Sequence, residues 1–494
     1  MDLWQNVILG FQACLQPINL LYCFIGVFIG TLIGVLPGIG PVGTMAILLP
    51  VTFHAPPLSS VIMLAGIYYG AQYGGSTTSI LVNIPGEASS VITCLDGYQM
   101  ARQGRAGPAL GMAAFGSFIA GTLGVVGLML LAHPLARAAL RFGPPEYFSL
   151  MVLGLIILTY LAQKSFIKSI IMGVLGLILS YVGLDMVSGQ ERFTLSIPEL
   201  MDGVGIIPIV MGLFGIAEIM ENLEVTMTRS IFKTHIKGVL PNIKDWADSI
   251  WPIIRGTVVG FFLGILPGGG AVLASFVSYG VEKRISKHPE RFGKGAIEGV
   301  ASPESANNAA SSGCFIPLMT LGIPSNVVMA MLFGGLLIHG LQPGPLLLKE
   351  HPHIFWGIIT SMYIGNIMLL LLNLPLIGIW VQLLKVPFRF LFPMIILFCL
   401  VGVYSVNNSV LDIGIMIIFG VFGYIMRKCD YEPAPLVLAY VLGPMLEQGL
   451  RQSLLMSEGS FTIFWLRPIS AFSLMIGVFL LIMAFLKSRK KRMG

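Results

Sequence analysis

Lysine and arginine are missing from the first 101 residues, and Arg102 is the first of either. Charge is scarce everywhere: Asp, Glu, Lys and Arg make up 11% of the 494 residues, where a soluble domain carries about a quarter. That scarcity excludes one large soluble core. No long polar linker or low-complexity tract is present, and the largest hydrophilic stretch runs only from about 229 to 248. Nor is there a phosphate-binding Gly-x-x-x-x-Gly-Lys, a His-Glu-x-x-His or a Gly-x-Ser-x-Gly elbow. The chain reads as no enzyme, and any work it does must draw on an ion gradient or a partner. The six cysteines lie apart with no paired spacing, which excludes a disulfide framework or a thiolate metal centre and leaves reduced packing residues. The N-terminus Met1-Asp2-Leu3-Trp4 has no basic start, so no cleaved leader is expected.

What remains is apolar. Hydrophobic residues make up 55%, and mean hydropathy is +0.87. A spanning helix needs roughly 20 apolar residues, and many stretches qualify. The net charge of +6 is no sign of nucleic-acid binding, because the basic residues sit in short loops and in Lys487-Ser488-Arg489-Lys490-Lys491-Arg492. That is the pattern of cytoplasmic loops and tails. The expected fold is an all-α polytopic membrane protein of about eleven to twelve transmembrane helices.

One segment occurs twice. Gly30-Thr31-Leu32-Ile33-Gly34-Val35-Leu36-Pro37-Gly38-Ile39-Gly40 returns 230 residues later as Gly260-Phe261-Phe262-Leu263-Gly264-Ile265-Leu266-Pro267-Gly268-Gly269-Gly270. Proline removes a backbone donor and glycine loosens the helix, so each copy should break at membrane depth. Irregular backbone there is tolerated only where it is buried in protein or lines a cavity. Matching breaks in two halves of a chain point to a transporter's binding site. Pro37, Gly38, Gly40, Pro267, Gly268 and Gly270 are therefore expected to shape two re-entrant hairpin tips, with nearby carbonyls holding a coupling cation, sodium in the first instance.

Charge sets the orientation. The second hairpin is bracketed by Arg229, Lys233, Lys237 and Lys244 on one side and by Lys283, Arg284, Lys287, Arg291 and Lys294 on the other. It should enter from the cytoplasm, and the uncharged first hairpin from outside. The halves would then form inverted-topology repeats over 1–225 and 226–450, with a final helix and basic cytoplasmic tail over 451–494. Further crossings are expected over 57–85, 107–133, 146–163, 165–184, 203–223, 296–338 (broken in its middle), 354–384, 391–406, 410–426, 433–450 and 469–486.

Each hairpin is followed by a polar segment. The first runs from Tyr69 through Gly74, Ser76, Thr77 and Asn83 to Ile84-Pro85-Gly86-Glu87. The second runs from Ser302 through Glu304, Ser305, Asn307, Asn308 and Ser312 to Ile323-Pro324-Ser325-Asn326. The two Ile-Pro pairs correspond, which puts Gly74 on Gly313. Both segments are expected as broken polar helices whose hydroxyl and amide donors cradle an anion at the midplane. Gly74, Ser76, Thr77, Asn83, Ser305, Asn307, Asn308 and Ser312 are the candidate substrate contacts. Small polar residues also permit close helix packing, and that alternative stands beside the functional one. Glu304 is an intramembrane carboxylate and so a functional candidate, or else a helix-start carboxylate facing the dipole. Glu87 and Asp96 are expected to reach interface water, and Glu218, Glu221 and Glu224 to lie at a membrane face.

These motifs resemble the large membrane subunit of tripartite tricarboxylate transporters, the TctA family. The similarity is carried by Gly34-x-Leu36-Pro37-Gly38-x-Gly40-Pro41, Tyr69-Gly70-x-x-Tyr73-Gly74-Gly75-Ser76, Ile84-Pro85-Gly86, Gly264-x-Leu266-Pro267-Gly268, Ala301-x-Pro303-Glu304-x-Ala306-x-Asn308 and Leu321-Gly322-Ile323-Pro324. The resemblance implies a permease of the bacterial inner membrane working with a smaller membrane subunit (TctB-like) and a periplasmic solute-binding protein (TctC-like). It also implies cation-coupled uptake of di- and tricarboxylates such as citrate. An uncoupled anion channel, a stand-alone transporter of another organic anion and an intramembrane enzyme are the competing classes. The first lacks a recognisable selectivity filter here, and the last lacks a catalytic pair or metal cluster.

Overall fold

The computed structural model of the chain describes residues 3–36, 40–161, 165–185, 188–224, 238–383 and 388–493. Pro37, Gly38 and the basic residues Arg229, Lys233 and Lys237 lie outside them. The protein is an all-α polytopic membrane protein. Eight helices come first: α1 (Leu3–Cys14), α2 (Pro17–Val35), α3 (Gly40–Thr52), α4 (Pro57–Val82), α5 (Thr93–Arg102), α6 (Ala106–Ala139), α7 (Pro144–Leu161) and α8 (Phe166–Ser180). A two-residue antiparallel pair follows, β1 (Gly183–Leu184) with β2 (Glu191–Arg192), in the register Gly183 to Arg192. Helix α9 (Ile206–Val210) continues through a π-helical stretch, Met211–Ile216, into α10 (Ala217–Glu224). Then come α11 (Ile243–Ile265), α12 (Gly270–Ile285), α13 (Glu298–Gly313), α14 (Phe315–Leu321), α15 (Val327–Ile338), α16 (Pro345–Glu350) and α17 (Pro352–Asn373). The chain closes with α18 (Ile377–Leu383), α19 (Phe388–Asn407), α20 (Val410–Lys428), α21 (Ala434–Met456), α22 (Ile463–Leu466) and α23 (Pro468–Met493).

Helices α2, α6, α11, α17 and α20 are each long and apolar enough to cross a membrane. Their outer faces, and those of shorter apolar helices, show the large hydrophobic residues that a bilayer covers. On α8 these are Ile167, Ile170, Ile171, Val174 and Ile178, and on α20 Ile417, Ile418, Val421 and Ile425. The stretch 354–384, expected as one crossing, is divided. Helix α17 stops at Asn373 before Leu374-Pro375, because proline has no N–H to continue the ladder. The Trp380 indole N–H donates to the Leu372 carbonyl at 2.9 Å and fastens that turn.

A helix contact used twice positions the centre. Helix α2 lies along α4, and α11 along α13. Gly26, Gly30 and Gly34 sit on the carbonyls of Met63, Ile67 and Ala71 so closely that a methyl on any of them would overlap the oxygen. Gly256, Gly260 and Gly264 stand the same way on Ser302, Ala306 and Ala310. The offsets are 230 residues on the first helix and 239 on the second, all along the contact. The second offset also joins Ile84-Pro85 to Ile323-Pro324. Looking back across the contact, Gly74 meets the Thr31 carbonyl and Gly313 the Phe261 carbonyl, again at those offsets. Small residues at such spacing let two backbones approach in a membrane, where no hydrophobic drive exists between helices.

The polar segments differ from the broken helices the sequence suggests. Helix α4 runs unbroken through its Ser/Thr-rich stretch, and Leu58 through Leu81 are all buried. The Ser76 hydroxyl lies 3.0 Å from the Gln72 carbonyl one turn back and also reaches across to Glu304 on α13. The break comes after it, at Asn83 (φ 58°, left-handed) before Pro85. In the second unit the polar helix α13 hands on to α14, and the break falls at Gly322 (φ 71°) before Pro324. In both units the Ile-Pro pair ends a helix rather than interrupting it.

Candidate functional site

Two polar centres lie between these units. The inner one surrounds Glu304 on α13, which is fully buried. It accepts hydrogen bonds from Ser76 Oγ on α4 and Thr93 Oγ1 on α5, and from Asn307 Nδ2 at 3.2 Å. Among the described residues no cationic side chain pairs with it. Its carboxyl group is met only by neutral donors drawn from three helices. Asn308 extends the network, donating to Ser117 Oγ on α6 at 2.8 Å and to Asn307 Oδ1 at 2.7 Å. On the far side, Tyr73 O–H donates to Asn366 Oδ1 at 2.6 Å, and Asn366 Nδ2 donates to the Phe118 carbonyl and Thr122 Oγ1, both at 2.9 Å. The space left inside is small. A cavity of about 10 Å³ is lined by Tyr73, Ser76, Thr77, Ser117 and Asn373, enough for one water-sized occupant.

The outer centre is a vestibule of about 420 Å³, within the range of small-molecule sites. The start of α3 (Gly40, Pro41, Val42, Gly43) forms one wall, and the break after α4 (Pro85, Gly86, Glu87, Ala88) forms another. Phe214 of the π-helical stretch, Glu218, Arg427 and Pro433 complete it. Arg427 donates to Glu218 at 3.0 Å and to Glu221 at 2.8 Å. One guanidinium thus shares the lining with two carboxylates, Glu87 and Glu218, and pairs with the second. Just beyond, Lys428 pairs with Glu224 and Tyr424 donates to it, and the lysine holds Glu224 below the usual carboxylate range.

The hairpin tips are unequal. Gly40 and Gly270 correspond, and both are left-handed (φ 63° and 55°), which favours glycine. A methyl on Gly40 would meet nothing within 4 Å, whereas one on Gly270 would lie 3.6 Å from Asn326 Nδ2. The second tip is packed shut. Gly268 N–H donates to the Ser325 carbonyl at 2.8 Å, and Pro267 lies against Gly154.

The sequence candidates therefore divide. Ser76, Asn307 and Asn308 meet around Glu304, and Thr77 lines the small cavity beside them. Gly74 belongs to the helix interlock. Ser312 packs against Gly124 and bonds weakly to the Gly121 and Asn308 carbonyls. Ser305 is buried with its hydroxyl unpartnered, next to Gly116. Asn83 ends α4 on the surface, apart from the others. Pro37 and Gly38 lie outside the described residues. The helix starts after the breaks are already capped: Glu87 accepts from Ser89 N–H at 2.7 Å, and Asn326 from Met329 N–H at 2.9 Å. Asp96 does not reach interface water. It is buried, and its Oδ1 accepts from the Gly293, Gly295 and Ala296 N–H groups at 2.8 Å each. Thr93, Ser117, Asn366, Asn373 and Arg427 were not singled out from sequence, and Tyr73 only as part of the Tyr69-to-Ser76 motif. Arg427 carried a signal, an arginine beside Lys428 at the end of an apolar run, but it reads equally well as a cytoplasmic anchor.

Comparison with known proteins agrees with this architecture. Residues 20–438 match the family described as the tripartite tricarboxylate transporter TctA family. An Agrobacterium vitis protein, named as an uncharacterized 52.8 kDa protein in the TAR-I ttuC' 3' region, is 52% identical over 493 residues, covering 100% of this chain and 98% of the relative. A second A. vitis protein, from the TAR-II ttuC' 3' region, is 53% identical over 234 residues, 47% of this chain and 97% of the relative. No solved structure matches. The chain belongs to the TctA family, the tripartite tricarboxylate transporters.

Proposed function

We propose that the chain is the large permease subunit of a cation-coupled importer of di- and tricarboxylates. It works in the bacterial inner membrane with a small TctB-like membrane subunit and a TctC-like periplasmic binding protein that delivers the substrate. The observation that carries this is the vestibule at the first hairpin. It has a ligand-sized volume, a guanidinium matched to carboxylates, and the start of α3, a helix N-terminus of the kind that favours an anion. The substrate carboxylate competes with Glu218 and Glu221 for Arg427. Because Glu87 and Glu218 outnumber Arg427 in the lining, an anion settles there only together with cations or protons. That charge balance supports coupled transport over an uncoupled channel.

The units are inverted-topology repeats in this reading, and the C-terminal tail is cytoplasmic. With basic ends marking the cytoplasm, the vestibule beside Arg427 and Lys428 opens inward while the second tip is closed. Alternating access would exchange those two conditions. The test is uptake of labelled citrate and other di- and tricarboxylates into proteoliposomes containing this chain and its small partner. Sodium gradient and binding protein are each supplied or withheld. Concentrative uptake requiring both is the expected result. Equilibration without accumulation would make the protein a channel, and uptake without the binding protein would make it a stand-alone transporter.

A further inference from the structure

The small cavity beside Glu304 has a chemistry of its own. Its five oxygen-bearing liners are all at least nine-tenths buried: Tyr73, Ser76 and Thr77 each 3% exposed, Asn373 4% and Ser117 1%. Two of the hydroxyls give their proton elsewhere, Tyr73 to Asn366 and Ser76 to Glu304. They keep only lone pairs for the cavity. Asn373 donates its amide N–H to the Leu369 carbonyl at 2.9 Å, and its Oδ1 is buried with no hydrogen-bond partner. A buried acceptor left unpaired costs roughly 1–3 kcal/mol unless something satisfies it. The cavity is thus rich in acceptors, and a buried carboxylate stands one hydrogen bond behind Ser76. Nothing cationic among the described residues answers that charge. Hard oxygen ligands around a water-sized space suit a small hard cation.

We propose that this cavity binds one dehydrated monovalent cation of sodium's size, ligated by oxygens of Tyr73, Ser76, Thr77, Ser117 and Asn373, with Glu304 supplying the compensating charge. The ion joins α4 and α6 to the end of α17, and Ser76 and Glu304 link it to both repeated units. The proposal deepens the transport reading by naming where the coupling cation sits, and it rests on that reading only for the word coupling. Sodium occupancy in this place differs from the hairpin-tip carbonyls suggested by sequence.

The experiment is thermal unfolding of the purified full chain in detergent, with NaCl, KCl or choline chloride at constant ionic strength. A ligand at free concentration c that is bound only by the folded state stabilises it by RT ln(1 + c/Kd), so a fit of Tm against ligand yields the concentration that half-saturates the site. Sodium should give such a half-maximal concentration for binding, the sodium midpoint, and potassium and choline should give none. Asn373→Leu fills the cavity and should abolish the sodium effect. Asn373→Asp keeps the shape, adds charge and should lower the half-maximal concentration severalfold. If Asn373→Leu does not fold, Thr77→Val removes one ligand oxygen at constant shape and should weaken sodium's effect. Equal stabilisation by all three salts, or an unchanged sodium midpoint in every variant that folds, would show a structural water and overturn the proposal. Failed carboxylate uptake with sodium stabilisation intact would sink the transport reading and leave the ion site standing.

Discussion

Glu87 and Asn326 stand 239 residues apart and do the same work. Each follows an Ile-Pro break by two residues, and each side chain accepts from a backbone N–H of the turn that follows. One is a potential charge facing the vestibule, and the other is a neutral amide beside Gly270 in the closed second unit. The pair therefore separates capping from charge. Glu87→Gln retains an oxygen for the cap and removes the charge. Expression and Tm should stay close to wild type. The cation concentration for half-maximal uptake should fall, because one fewer negative group accompanies the substrate. Uptake measured across a sodium series would check this, and an unchanged midpoint would take Glu87 out of the coupling balance.

Arg427 holds Glu218 and Glu221 together, with its side chain only 19% exposed. Removing it leaves two carboxylates without their cation. Arg427→Ala should cost about 3 kcal/mol of stability, the low end for breaking a buried pair given the residual exposure, and should abolish uptake. Arg427→Lys keeps the charge but cannot span both partners. It should fold near wild type and raise KM for carboxylates more than it lowers the maximal rate. A fall in rate with unchanged KM would mean that Arg427 braces α10 against α20 and does not touch substrate.

Gly30 and Gly260 are equivalent positions in the two interlocks, and a methyl on either meets a carbonyl of the neighbouring helix. No side-chain rearrangement relieves that clash, because the obstacle is backbone. Gly30→Val and Gly260→Val should each cost ~1–3 kcal/mol or more through overpacking, and both should reduce the yield of folded protein in detergent. Gly280→Ala is the control. It lies in α12 with open space where its Cβ would go, and should be neutral or up to about 1 kcal/mol stabilising. Size-exclusion profiles and melting curves of the three variants decide the matter.

Local offsets made the repeat legible. Leu-Pro-Gly at 36–38 and 266–268, the Ile-Pro pairs and the Gly74–Gly313 correspondence follow from counting along the chain, and the packing uses the same intervals. The break at Pro375 could also have been read, since proline's missing donor is a local fact. What sequence did not disclose is which helix faces meet. A serine in an apolar helix looks alike whether its hydroxyl turns back to its own backbone, as at Ser311 toward Asn307, or crosses to a carboxylate, as at Ser76 toward Glu304. Thr93, Ser117 and Asn373 matter only because α5, α6 and α17 bring them to one place. Arg427 reads as a membrane anchor until Glu218 is seen opposite. Substrate contacts expected around Ser76 and Asn307 met a space for one water, and the ligand-sized space opened instead beside Gly40 and Glu87.

Asp96 tests how the first unit is fastened to the second. Its Oδ1 takes three backbone N–H groups from 293–296, and its Oδ2 takes the Tyr279 hydroxyl at 2.9 Å. Four donors converge on one carboxylate, and three of them are backbone N–H groups of one loop. Hydrogen bonds to a charged group contribute about 1.5–3 kcal/mol each. Tyr279→Phe removes one of them and leaves the loop in place, so it should lower stability by about that single increment. Asp96→Asn keeps an oxygen for the loop but takes the charge from the acceptor of three backbone N–H groups, so it should cost more than the tyrosine change. Asp96→Ala strands all four donors and should cost the most, with proteolysis of the 286–297 loop as a second readout. Because Asp96 lines neither the vestibule nor the small cavity, the sodium midpoint for thermal stabilisation should not move in Tyr279→Phe. A shifted midpoint would mean that this brace and the Glu304 centre form one coupled network rather than two.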